Sequence, residues 1–372
     1  MMKSFICGET NGPVLNNLLL ERQLPDVLQN LDGSFIERPA DWTRRRLEIL
    51  DLLRREIYGY APAAPASVVG QITENQADAL ANKAIRQTVV IEFPTPRGKF
   101  AFPLTLIIPK QVKRTPVFLA IAFRPDIPDL YLPAEEIIDN GFAIATFCYN
   151  DLSPDENDRF TKGLPSFYPR DEQTGWGKIS IWAWAASRVM DYLQTRTDLD
   201  PDHVAVIGHS RLGKTALWCG AQDERFATAI ANDSGCAGAA LFRGKSGERI
   251  EAITRVFPYW FCGRFPAYAE REDALPFDQH FLISLIAPRA VYIGSAAEDG
   301  WADPRSEFLA ALAASPVYRL LGYPGLVTPD RLPEPGTILQ DGRAAYHLRT
   351  GSHFLSRSDW QIYMANLRQD QR

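Results

Sequence analysis

Residues 204–221 read VAVIGHSRLGKTALWCGA, and this stretch decides the fold. Val204, Ala205, Val206 and Ile207 make a short apolar run suited to a buried strand, while Leu212, Ala216 and Leu217 recur at helical spacing. Between them Gly208 opens a tight turn with Ser210 at its apex. A strand, a sharp turn with a serine at its tip and then a helix hold a hydroxyl clear of a sheet. The helix start adds backbone N–H groups and a positive dipole end where an oxyanion would form. The string is G-x-S-R-x-G-K rather than G-x-S-x-G, because Gly213 stands three places after the serine. A glycine–serine turn alone is often an ordinary strand–helix connection; Arg211, Lys214 and suitable acids and histidines downstream make this one a candidate nucleophile.

Outward from this turn, strands are predicted over 84–93 and 101–109, a hairpin across Thr95-Pro96-Arg97-Gly98, and then over 115–123, 142–149, 204–208, 227–231 and 290–295. Helices are predicted over 179–195, 212–222 and 304–314. Such alternation implies a mostly parallel central sheet with helices on both faces, the three-layer α/β-hydrolase sandwich. Residues 1–40 read as an irregular arm, and 41–60 as an amphipathic helix with Leu47, Leu50, Leu53 and Ile57 on one stripe and arginines elsewhere. Residues 61–67 form a Pro/Ala connector. One domain is expected over 1–372, with the arm and its helix (1–75) packed on a catalytic core (76–372). The aromatic, irregular stretch 258–276 is of the kind that lines a site or covers it.

At 372 residues the chain can bury a large core, and 46% hydrophobic with 23% charged residues is globular composition. A net charge of −5 with no basic cluster argues against a nucleic-acid partner. Cys7, Cys148, Cys219, Cys236 and Cys262 lack metal-ligand spacing, and their odd number suits reduced thiols. The apolar patch before Gly8 is too short for a secretion signal, and no run approaches the ~20 apolar residues of a membrane span. The sequence as written is therefore expected to be cytoplasmic, or secreted if a leader had been removed.

A serine hydroxyl becomes nucleophilic when an imidazole takes its proton and an acid fixes that imidazole. In this fold the chain order is serine, acid, histidine. Of five histidines, His203 is expected at the surface, and His209, adjoining Ser210, should point away from the serine's face. His280 reads as a helix-capping or core residue. His353 lies in a polar loop, Thr350-Gly351-Ser352-His353, which suits a base reaching across the sheet top; His347 alternates like a strand residue and takes a supporting or structural role. Two acids compete, Asp233 in AIANDSG and Asp299 after the strand at 290–295, and spacing alone does not separate them.

These motifs, together with ANDSGCAGAAL, LPFDQHFLISLIAPRAVYIGSAAEDGWADP and the GSH near the end, resemble the glucuronoyl esterases of carbohydrate esterase family 15, from about Trp42 to about Tyr363. The resemblance implies Ser210 as nucleophile, His353 as base and Arg211 as oxyanion stabiliser. It also implies that Lys214, Glu248 and Trp301 grip the hydroxyls and ring of a glucuronate. Many members place a glutamate where Asp233 stands and some an acid where Asp299 stands, a pattern that leans towards Asp233. Fungal members carry a disulfide where this chain has His209 and Phe354, and the loop Arg124-Pro125-Asp126 lacks the Gly-Asn-His of many bacterial members. The expected activity is hydrolysis of a small or oligosaccharide uronate ester through an acyl-enzyme, with no metal or organic cofactor implied. A sugar-acetyl esterase and a catalytically silent sugar-binding homologue are the alternatives.

Overall fold

A computed structural model describes residues 12–370. Its ten strands are β1 (Val69–Asp78), β2 (Ala84–Thr95), β3 (Gly98–Pro109), β4 (Thr115–Ala122), β5 (Ala143–Cys148), β6 (Leu199–His209), β7 (Thr228–Asn232), β8 (Ala290–Ala296), β9 (Thr337–Leu339) and β10 (Ala344–Arg349). They form one sheet in the order β1-β2-β3-β5-β4-β6-β7-β8-β10-β9. The middle, from β5 through β4, β6, β7 and β8 to β10, is parallel, and both flanks are antiparallel.

The parallel strands are apolar because both of their faces are covered. In β4, Val117, Leu119 and Ile121 enter a large core, while Phe118 and Ala120 enter a smaller one on the opposite face, the alternation of a pleated strand. The helices Trp42–Leu53, Lys178–Leu193, Arg211–Gln222 and Pro304–Leu320 supply the large core. The helices Ala134–Asp139 and Arg357–Asp370 close the smaller one, where Trp360 packs edge-on against Phe118 at 5.1 Å.

The N-terminal region departs from expectation. Residues 13–21 of the expected irregular arm are helical, and Asp330 accepts from the free N–H groups of Val14 (3.0 Å) and Leu15 (2.8 Å) at the helix start. That cap comes from more than three hundred residues away, so local sequence could not announce it. The next helix ends at Leu53 and continues as a π turn to Tyr58. Leu47, expected inside, is exposed, whereas Arg45 and Arg46, expected outside, are buried. Arg46 donates to the carbonyls of Ala221 (2.7 Å) and Leu285 (3.2 Å), and Arg45 to that of Val27 (2.9 Å), so buried backbone acceptors gain partners. The strand β1, unforeseen, crosses the expected 75/76 boundary and pairs with β2. Among the described residues no helix is long and apolar enough to cross a membrane, and Cys148, Cys219, Cys236 and Cys262 are buried free thiols. Cys7 and most of the stretch read for a secretion signal lie outside the described residues.

Candidate active site

The carboxyl ends of the parallel strands gather the residues singled out by the sequence. Ser210 follows β6 and precedes the helix Arg211–Gln222 with φ 57° and ψ −125°, a conformation that costs a non-glycine residue about 1–3 kcal/mol. The turn is held open by hydrogen bonds: Ser210 N–H donates to the Asn232 carbonyl (2.8 Å), and the Ser210 carbonyl accepts from Gly213 (2.9 Å) and Lys214 (3.1 Å). Gly208 is obligatory there, since a Cβ would lie 2.0 Å from the Leu212 carbonyl oxygen.

His353 lies in the loop after β10, its side chain 44% exposed, and its Nδ1 bonds Asp299 Oδ2 at 2.6 Å. The ring of His209 is 4.5 Å from that of His353, which places the imidazole over the residue adjoining Ser210. His209 therefore does not turn away from the site as strand alternation suggested. Alternation fails because the chain kinks at Ser210. His209 Nδ1 is tied to Asn232 Oδ1 (2.7 Å), and burial, followed by the charge of His353, lowers its pKa to about 3. Its neutral ring packs against Tyr131, which in turn packs against Phe354.

The two acids separate clearly. Asp299 stands three residues past β8 and is buried. Burial pushes its carboxyl up, but the hydrogen bond and charge of His353 outweigh that and leave it below the ordinary range. Asp233, directly after β7, is more deeply buried; burial, followed by the charge of Glu307, pushes it up to about 9. Its Oδ2 meets Arg349 Nη2 at 3.3 Å and the Phe354 N–H at 3.4 Å, and its Oδ1 has no partner among the described residues. The carboxylate that meets His353 Nδ1 is thus that of Asp299, not of Asp233, towards which the family pattern leaned. The loop after β8 carries its carboxylate to the imidazole, whereas Asp233, one methylene shorter than glutamate, is engaged by Arg349.

Polar atoms of Asp233, Asp299 and His353 lie within 4.8 Å of one another, a grouping that could in principle hold a cation. The set fits one poorly. Two ligands of a tetrahedral ion with ~2.1 Å bonds stand about 3.4 Å apart, wider than the 2.6 Å between Asp299 and His353.

On the other side of Ser210, Arg211 pairs with Asp155 and lies over the Trp260 ring at 4.9 Å. Its Nε is buried with no partner among the described residues, a donor left open beside the serine. Lys214, Glu248 and Trp301 come together. Lys214 Nζ donates to the Ser234 carbonyl (2.5 Å) and stands 3.8 Å from Glu248, whose N–H donates to the Trp301 carbonyl (2.9 Å). Gly247 permits this approach, since a Cβ there would lie 2.4 Å from the Gly300 carbonyl oxygen. The Trp301 indole is 59% exposed, unlike a core tryptophan.

The other histidines are structural. His203 is at the surface with Asp200, and buried His280 begins a short helix and contacts the Pro25 carbonyl (3.0 Å). His347 is buried in β10 against Asp359 (2.7 Å). Sequence reading missed Asp155, Trp260, Arg349 and Glu307. Arg349 donates to Asp359 and to the Ser352 and Phe354 carbonyls, and so staples the His353 loop. Glu307, inside the helix Pro304–Leu320, accepts from Ser234 Oγ, the Gly235 N–H and Ser295 Oγ, tying together the loops after β7 and β8. None carries a local motif; only the stretch holding Trp260 was marked, by its aromatic composition.

A serine at a strained strand–helix turn and a histidine–carboxylate pair from beyond the ends of β10 and β8, on this sheet, define a carboxylic ester hydrolase of the α/β-hydrolase fold. A family model described as fungal glucuronyl esterase matches residues 92–322. Carbohydrate esterase MZ0003 from an unknown prokaryotic organism is 38% identical over 92% of this chain and 88% of its own. A glucuronoyl esterase from Solibacter usitatus superposes with a TM-score of 0.86 at 35% identity, covering 93% of this chain and 97% of its own. A 4-O-methyl-glucuronoyl methylesterase from Schizophyllum commune is 29% identical over 81% of this chain and 74% of its own. The chain belongs to the glucuronoyl esterases, carbohydrate esterase family 15.

Proposed function

We propose that the protein hydrolyses a carboxylic ester of a uronic acid, of the 4-O-methyl-glucuronoyl type, by a serine mechanism. Asp299 holds Nδ1 of His353, which leaves Nε2 for the Ser210 hydroxyl. Ser210 Oγ attacks the ester carbonyl while His353 takes its proton, and His353 then gives that proton to the departing alcohol. Water, deprotonated by His353, attacks the acyl-enzyme and releases the uronate and the free serine. The Arg211 N–H and guanidinium face the carbonyl oxygen as negative charge grows there. Such a donor is worth roughly 3–4 kcal/mol at the transition state. Lys214 and Glu248 address sugar hydroxyls, and Trp301 offers an indole face to the ring.

The observation that carries this reading is the 2.6 Å His353–Asp299 bond beside the Ser210 turn, with Lys214, Glu248 and Trp301 gathered on one flank. Relatives named as glucuronoyl methylesterases support the substrate class. Ser210→Ala should abolish turnover of methyl glucuronate with an unchanged circular dichroism spectrum; undiminished turnover would refute the assignment. Faster turnover of an acetylated xylo-oligosaccharide than of methyl glucuronate would move the substrate to acetyl sugars.

A further inference from the structure

We propose that a second cleft, walled by arginines and aromatic rings, binds an additional carboxylate-bearing sugar of an acidic oligosaccharide substrate. The inference rests on the uronate-ester reading for its link to turnover, but the cleft stands on its own geometry. It has a volume of about 630 Å³, within the range of small-ligand sites. Its lining includes Arg97, Arg159 and Arg170 against a single acid, Glu172. That is a concentration of positive charge on a chain whose net charge is −5.

The three guanidiniums are not consumed by carboxylates. Arg97, at the β2–β3 hairpin tip, donates to the Ser166 carbonyl (2.8 Å). Arg170 lies 3.7 Å over the Phe160 ring and donates to the carbonyls of Trp176 and Gly175, which fixes it as a cation in the wall. Arg159 is exposed and has no hydrogen bond or ion pair among the described residues. A guanidinium recognises a carboxylate through two parallel N–H donors, and the half-buried ring of Tyr259, backed by the buried rings of Tyr168 and Phe261, supplies apolar surface for a pyranose.

The cleft adjoins the candidate active site. Tyr259 lines it and donates its hydroxyl to the Asp155 carbonyl (3.2 Å). The Asp155 carboxylate accepts from Trp260 Nε1 (2.6 Å) and pairs with Arg211, the neighbour of Ser210. One layer of side chains therefore separates the two, and the aromatic stretch 258–276 contributes to both.

The test is isothermal titration of the full chain with trigalacturonate and with neutral xylotriose, in the wild type and in an Arg97→Ala/Arg159→Ala double variant of surface positions. The expected result is binding of trigalacturonate that the double variant weakens at least tenfold, no measurable binding of xylotriose, and unchanged turnover of methyl glucuronate. Equal affinity in the double variant, or xylotriose binding as tightly, overturns the proposal. A wild type that binds trigalacturonate through these arginines yet turns over no methyl glucuronate would sink the uronate-ester reading and leave the cleft standing.

Discussion

Asp233 follows β7 and Asp299 follows β8, its neighbour in the sheet, and the same residue type behaves oppositely at the two strand ends. Both are buried. At Asp299, His353 lies 2.6 Å away and its hydrogen bond and charge overcome the cost of burial, so the carboxylate is charged. At Asp233, burial and the nearby Glu307 prevail over Arg349, and the group holds its proton up to a pKa of about 9. Two acids with pKa values driven apart by their surroundings take different roles: one orients an imidazole, the other remains a neutral neighbour. The comparison teaches that a strand-end acid is set to its part by the partner its loop reaches and by the charges buried around it.

The most severe test exchanges each acid for its amide. Asp299→Asn should lower kcat for methyl glucuronate by about 10⁴-fold, the scale seen when a triad carboxylate becomes an amide, while Asp233→Asn should cost less than tenfold. Steady-state kinetics decides it, and the reverse order would transfer the triad to Asp233.

Arg349 is the next lever, because it touches Asp233, Asp359 and the His353 loop together. Arg349→Met should destabilise the fold by roughly 3–5 kcal/mol, the cost of breaking its buried ion pair with Asp359. Urea denaturation would measure this, and a loss under 1 kcal/mol would mean that the contacts carry little.

The last test concerns pH. Asp233 in the folded state titrates near 9, against about 4 when unfolded. Between those values the folded protein retains a proton that the unfolded chain releases, so the stability contributed by Asp233 is full below about pH 4 and is lost progressively as pH rises towards 9. Asp233→Asn removes this slope. Its melting temperature relative to wild type should climb from pH 5 through 7 to 9; a constant difference would place the Asp233 pKa in the ordinary range.

Much of this was legible in the amino-acid order. The strand–turn–helix at 204–221, the alternating strands and the loop position of His353 are local signals, since apolar periodicity and turn chemistry act over a few residues. What stayed hidden was non-local. The helix at Pro13–Glu21 is capped by Asp330, and buried Arg46 serves carbonyls of two distant segments. Arg349 and Glu307 gain their importance from loops brought together by the sheet order.

By itself the sequence determined that a serine would stand on a sharp turn at the end of a buried strand, with a histidine and two acids available later in the chain. Only the tertiary structure decided which acid faces the histidine and that Lys214, Glu248 and Trp301 share one corner. The reason is physical: covalent order fixes which groups can meet. Distance, burial and neighbouring charge, set by packing, decide which of them hold a proton and which hold each other.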